Sequence, residues 1–308
     1  MEQGHIATGL ALAVPTIFIW GVTFVSTKAL LVDFSALEVL WIRYFMAYAA
    51  LWALRPRRLC LGSRREELGF ALAGLSGVAL YQFLENAAIH FTNASNVSIL
   101  VSICPMMTAA MAQWVFCERA VTRRFVLGFL LAIAGVTLVC MNGVTEFHLN
   151  PAGDAMALCA AVCWACYSTL LPRLNGRGYD FLVVTRRIFF WALVFMLPMV
   201  AAGVVLPDSA MGGSLAVDFS AATNAARFSR FLNWANLCFL GLFASAGCFV
   251  AWNKACMLLG TVRATVGIYL LPVITVVFAY LFLGERLSAM GAFGAVLTLG
   301  GVILSERR

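Results

Sequence analysis

Charge is what this sequence has least of. Lys and Arg number 21 and Asp and Glu 14 in 308 residues, so 11% of side chains are charged while 63% are hydrophobic. A soluble domain carries about 25% charged and about 45–50% apolar residues, and a chain this apolar has too little polar surface to cover a water-exposed fold. Soluble enzyme, disordered chain and disulfide-rich secreted scaffold are excluded on that ground. The sequence also lacks a Walker loop, an HExxH pair and a glycine-rich nucleotide loop, which argues against ATP-driven pumping by this chain alone. No nucleophile–base pair or metal-ligand set stands inside the apolar runs. We therefore expect no enzyme, no cofactor and no metal. The net charge of +7 is spread over short stretches between those runs, not gathered on the basic face that a nucleic-acid partner needs. The 10 cysteines lie almost all in or beside apolar runs and read as reduced packing residues. Cys159, Cys163 and Cys166 share one helix face, but no His or acid joins them.

What the sequence does have is long apolar stretches, at 7–31, 36–54, 68–91, 94–116, 125–142, 153–172, 180–205, 235–259, 262–283 and 288–304. A bilayer-spanning helix needs about 20 such residues. The expected fold is all-α, a polytopic membrane protein of ten transmembrane helices. The first run lacks a basic flank and reads as a retained helix, not a cleaved signal. With the N-terminus inside, one set of connections holds Arg55, Arg57, Arg58, Arg64, Arg65, Arg119, Arg123, Arg124, Arg173, Arg177, Lys254, Arg263, Arg307 and Arg308, the other only Arg227, Arg230 and Arg286. Positive charge is retained on the cytoplasmic side, so both termini are expected there, in a cell inner membrane. The longest connection, 207–234, faces outward in this topology, with 225–231 able to lie along the interface.

The two halves resemble each other. Pro105-Met-Met-Thr108 and Glu118-Arg119 recur as Pro272-Val-Ile-Thr275 and Glu285-Arg286 at an offset of 167, which also carries Asn86 onto Asn253. Gly128 to Gly135-Val136 matches Gly294 to Gly301-Val302; Trp20 matches Trp164 and Arg43 matches Arg187 at an offset of 144. The expected repeats are 7–142 and 153–305. Five helices is an odd number, so the second repeat must be inverted, an arrangement that places a site near the midplane and permits alternating access.

The Pro-x-x-Thr, Gly-Glu-Arg or Cys-Glu-Arg, and Gly-x6-Gly-Val pattern in a five-plus-five duplication resembles the EamA family of the drug/metabolite transporter superfamily, as does Leu84-Glu85-Asn86-Ala87-Ala88 followed by Thr92-Asn93-Ala94-Ser95-Asn96-Val97. Cys117 stands where the second half keeps Gly284. The resemblance implies a secondary transporter for a small-molecule substrate, amino acids and related metabolites foremost, exported across the membrane. Carriers for amine or cationic drugs and for anionic sugar-phosphate-type substrates are the alternatives, and a receptor or scaffold is the non-transport reading. It leaves the oligomeric state open.

Glu85 is the acid that stands well inside a run, and an intramembrane carboxylate points to a site. Tyr81 and Gln82 share its helix face, and Asn86 and His90 extend the stripe, His90 toward the outer interface. Glu85 can titrate and carry a coupling proton, pair with a substrate cation, or form a structural pair with Lys28 or Arg43. Asn253, Lys254 and Trp252 occupy the matching place on the eighth helix; Asn86 and Asn253, as symmetry mates, suit paired polar contacts across a midplane site, and Lys254 either binds or snorkels. Arg43 and Arg187 need partners at their depth and read as gate braces or carboxylate ligands, while Arg186 points toward headgroups. Trp20, Trp164 and Tyr269 are cavity-wall candidates, able to stack on a substrate or face a cation. Pro105 and Pro272 are expected to kink their helices.

Overall fold

The computed structural model describes residues 2–59, 61–116, 122–140, 150–205, 213–284 and 289–306. The Glu118-Arg119 and Glu285-Arg286 motifs lie outside them. Among the described residues every regular element is helical. The chain runs through α1 (Glu2–Leu30), α2 (Ala36–Leu54), α3 (Arg64–Phe91), α4 (Ala94–Val101), α5 (Cys104–Phe116), α6 (Arg123–Cys140), α7 (Pro151–Asn175), α8 (Phe181–Val205), α9 (Ala221–Ser229), α10 (Phe231–Leu259), α11 (Thr261–Val266), α12 (Leu271–Leu283) and α13 (Ala289–Glu306). Seven stretches, α1, α2, α3, α7, α8, α10 and the run Thr261–Leu283, are long and apolar enough to cross a membrane. Further apolar helices, α4 to α6 and α13, stand where the remaining spans were expected. The chain is a multi-pass membrane protein.

Local chemistry sets the helix ends. Ser35 caps α2 reciprocally: its hydroxyl accepts from the Glu38 amide at 3.1 Å and its own amide donates to the Glu38 carboxylate at 2.9 Å. Ser63 accepts from the Glu66 amide at 3.3 Å, so α3 begins a turn before its apolar run, and Glu66 and Glu67 enter the helix. Asn150 caps α7 by accepting from Gly153 at 3.2 Å, with Pro151 at the first helical position, where no amide is needed.

Two kinds of irregularity recur. α3 passes through a π-helical segment at Leu75–Leu80 and α10 through another at Phe239–Gly247; shifted by 167, the first becomes 242–247. The helix expected over 94–116 is interrupted between α4 and α5 just before Pro105, and the one over 262–283 passes through a 3₁₀ turn, Gly267–Leu270, just before Pro272. Proline has no amide to donate to the preceding turn, so both interruptions follow from the sequence.

α6 and α13 pack through glycines. A Cβ on Gly128 would lie 2.5 Å from the Gly301 carbonyl, and one on Gly135 2.5 Å from the Gly294 carbonyl. The indices rise on one helix as they fall on the other, so the two are antiparallel. Under the internal match, Gly128 and Gly135 correspond to Gly294 and Gly301, and the two contacts exchange with one another. A self-complementary contact of this kind requires a two-fold relation, and between antiparallel helices its axis runs across them.

The long connection between α8 and α10 is built on ion pairs. Arg227, buried in α9, meets the Glu38 carboxylate through two bonds of 2.8 Å and lies 4.6 Å from the Phe34 ring. Arg230 pairs with Asp33 at 2.8 Å. The segment expected to lie along the interface thus anchors inward through its arginine.

Candidate functional site

The interior is aromatic where α1, α3, α7 and α10 meet. The Trp20 and Trp164 rings stand edge to face with centroids 5.3 Å apart; Trp252 lies 5.0 Å from Trp20, and Tyr81 4.9 Å from Trp164. The Trp20 indole donates to the Ala244 carbonyl in the π-helical part of α10 at 3.0 Å. Beside these rings Trp20, Arg43, Tyr81, Gln82, Glu85, Cys104 and Trp164 line a chamber of about 20 Å³, room for one water and not for a metabolite. Glu85 is 4% exposed. Tyr81, one turn before it on α3, and Arg43 line the same chamber. Arg43, itself 2% exposed, donates to Gln82 Oε1 at 2.8 Å and to the Ser245 hydroxyl at 3.0 Å.

A second, larger space opens at the end of the bundle where α7 and α10 terminate. It measures about 510 Å³ and is lined by Thr108, Ser168, Asn175, Cys256, Gly260 and Arg263, among others. One helical turn separates it from the chamber: Thr108 follows Cys104 by four residues and Ser168 follows Trp164 by four. The Thr108 and Ser168 hydroxyls and the Asn175 carbonyl oxygen have no hydrogen-bond partner within the described structure, nor do the Trp164 and Trp252 indoles or the Tyr269 hydroxyl, all of them buried. Buried polar atoms are rarely left unpaired without a reason.

The other expected residues divide between this centre and its supports. Asn86 and Asn253 are each tied to other elements. Asn86 donates to the Ala36 carbonyl at 3.4 Å, at the start of α2. Asn253 is a fully engaged tie, accepting from Tyr167 at 3.0 Å, donating to Thr185 at 2.8 Å and offering its carbonyl to Asn175 at 3.1 Å. The Lys28 ammonium closes the end of α3 by donating to the Ile89 and Thr92 carbonyls at 2.8 and 2.9 Å. Arg187 holds Glu67 at 3.0 and 2.7 Å, and Trp191 also donates to that carboxylate. Arg186, expected at the headgroups, is 7% exposed and donates to the Arg55 and Arg57 carbonyls. Lys254 and His90 are exposed. Pro105 and Pro272 stand at the two helix interruptions.

With this geometry in hand, comparison with known proteins is decisive. The sequence model of the EamA-like transporter family matches residues 7–141 and again residues 151–307. The chain belongs to the EamA-like transporter family. Its relatives include an uncharacterised transporter of Archaeoglobus fulgidus, 27% identical over 98% of each chain. A probable terminal-alkyne amino-acid exporter of Streptantibioticus cattleyicolor is 29% identical over 89% of this chain and 82% of its own. A probable amino-acid metabolite efflux pump of Escherichia coli is 24% identical over 96% and 93%. One solved crystal structure superposes with a TM-score of 0.68 over 97% of this chain and 96% of its own at 16% identity, which shows a shared fold.

Within this EamA-like fold, sequence reasoning passed over Thr108, Ser168 and Asn175, which line the open space, and Phe249, which packs 5.5 Å from Trp20. Thr108 belongs to the Pro-x-x-Thr motif, so its signal was in the repeat. Ser168 and Asn175 carry none, because a lone small polar residue in a membrane helix usually bonds its own backbone.

Proposed function

We propose that this chain is a secondary carrier that exports an amino acid or close derivative, with Glu85 at the centre of its substrate site. One observation carries the reading: a buried carboxyl with indole rings from both halves around it, one helical turn from a metabolite-sized vestibule. An ammonium group is recognised by such a set, through the carboxylate and through the negative faces of the rings. The names of the Streptantibioticus cattleyicolor and Escherichia coli relatives, an amino-acid exporter and an amino-acid metabolite efflux pump, support the same class. Anionic substrates are disfavoured, since Arg43 is engaged by Gln82 and Ser245 and Lys254 is exposed and is not among the residues lining the chamber.

The two repeats, 7–142 and 153–305, rock about the two-fold axis across α6 and α13, exposing Glu85 to one side at a time. The vestibule lies at the arginine-rich end, which the charge bias places in the cytoplasm together with both termini, in a cell inner membrane. Glu85 carries the coupling proton when no substrate cation is present. Counterflow in proteoliposomes tests this: preloaded neutral amino acids are expected to exchange, and amines lacking a carboxylate to compete. Exchange of sugar phosphates with no response to amino acids or amines would sink the assignment.

A further inference from the structure

A further polar space lies away from both the chamber and the vestibule. Where α2 ends and α8 begins, Tyr48, Trp52, Arg58, Arg186, Arg187 and Phe190 line a cavity of about 380 Å³. Its three guanidinium groups are poorly balanced. Arg187 alone has a carboxylate, Glu67. Arg186 is buried and satisfied only by the dipoles of the Arg55 and Arg57 carbonyls. Those bonds hold the chain after α2 in place, and Arg58, the next residue, is exposed and makes no ion pair among the described residues. The neighbouring acids are taken as well, Asp180 by Arg55 at 3.0 Å and Glu66 by Arg177. Two units of positive charge thus converge on one cavity.

The surroundings say what kind of anion fits. Trp52 is 55% exposed and Leu54 71%, and Phe190 lies on the same side beneath the Arg187 guanidinium, 5.1 Å from it. An apolar and aromatic rim around arginines at a helix end matches the boundary between acyl chains and headgroups. We propose that this cavity binds the phosphate group of an anionic lipid headgroup, with Arg58 and Arg186 as its ligands and Trp52 along the glycerol and acyl stem. Because α2 and α8 come from different halves, the lipid clamps the seam along which they move.

The test uses the full chain in detergent, with phosphatidylglycerol, phosphatidylcholine and inorganic phosphate titrated separately and followed by native mass spectrometry and thermal unfolding. Phosphatidylglycerol is expected to bind and to raise the unfolding temperature, and phosphatidylcholine to do neither. Removal of one arginine at a headgroup site weakens binding about fivefold, so Arg58→Gln is expected to show that loss. Arg123→Gln, the same charge change at an exposed position on another helix, is expected to show none. Arg58 is exposed, so the result does not depend on a variant that disturbs folding, as Arg186→Gln would. Equal binding of the two lipids, or equal losses in Arg58→Gln and Arg123→Gln, overturns the site. Stabilisation by inorganic phosphate alone to the same extent overturns the lipid assignment.

Discussion

Glu85 shares its chamber with Tyr81 and with an arginine that is already hydrogen-bonded elsewhere. Its charge is therefore moderated but not consumed, as a group that exchanges a proton for a substrate cation requires. Glu85→Gln keeps the size and loses the titration, so it is expected to abolish the pH dependence of transport while the protein folds; unchanged pH dependence in proteoliposomes removes Glu85 from the proton route. The two matched asparagines make a contrasting prediction about stability. Asn253→Ala orphans the Tyr167 and Thr185 hydroxyls, each a loss of about 1–3 kcal/mol, whereas Asn86→Ala removes one long bond to Ala36. The first is expected to lower the unfolding temperature in detergent markedly more than the second, and the reverse order would show that Asn253 is not the tie described. Scarcity of charge made Glu85 and Arg43 legible in the sequence. Their partners were not, because the partner of a buried polar group is chosen across helices, by packing that no spacing along one helix records. Arg187 illustrates this: its carboxylate, Glu67, lies in a charged turn that hydropathy leaves outside the span and that the Ser63 cap draws into α3.

At the scale of elements, irregular and regular helices divide the chain. Helices broken before Pro105 and Pro272 and π-helical stretches in α3 and α10 place irregular backbone in both halves. The breaks were legible, since proline announces them; the π segments were not, since each consists of ordinary helix-forming residues whose register is set by neighbours such as Tyr167 packing over Gly77. By contrast α6 and α13 are regular and held together at backbone contact. Gly301→Ala would press a methyl against backbone atoms of Gly128 and Ala132, while Gly300→Ala, one residue earlier, meets nothing nearer than Leu131 at 3.9 Å. Overpacking of this kind costs about 1–3 kcal/mol. Thermal unfolding is expected to separate the two variants by several degrees, and indistinguishable unfolding temperatures would contradict the close approach.

For the molecule as a whole, the repeat makes an asymmetry informative. Thr275 donates to the Gly21 carbonyl at 2.9 Å, tying α12 to α1 on the side away from the vestibule. Its counterpart Thr108 is buried with no partner and lines the open space. The offset that carries Trp20 onto Trp164 carries Gly21 onto Ala165, so the bond missing at Thr108 is one to the Ala165 carbonyl. If the halves exchange conformations during transport, the Thr275 latch opens as the Thr108 latch closes, and one hydrogen bond of about 0.5–1.5 kcal/mol is exchanged for its mate. That near balance lets a substrate of modest affinity drive the cycle. Thr275→Val removes the latch from one state only and should bias the carrier toward opening on the side opposite the vestibule; Thr108→Val should do the reverse. A cysteine placed at Ala112, which lines the vestibule, reports the outcome when the native reactive cysteines are replaced by serine. Its modification by a membrane-impermeant thiol reagent from the arginine-rich side is expected to slow several-fold in Thr275→Val and to quicken in Thr108→Val. Equal rates in both backgrounds would mean that the two threonines are packing residues and that the latch lies elsewhere.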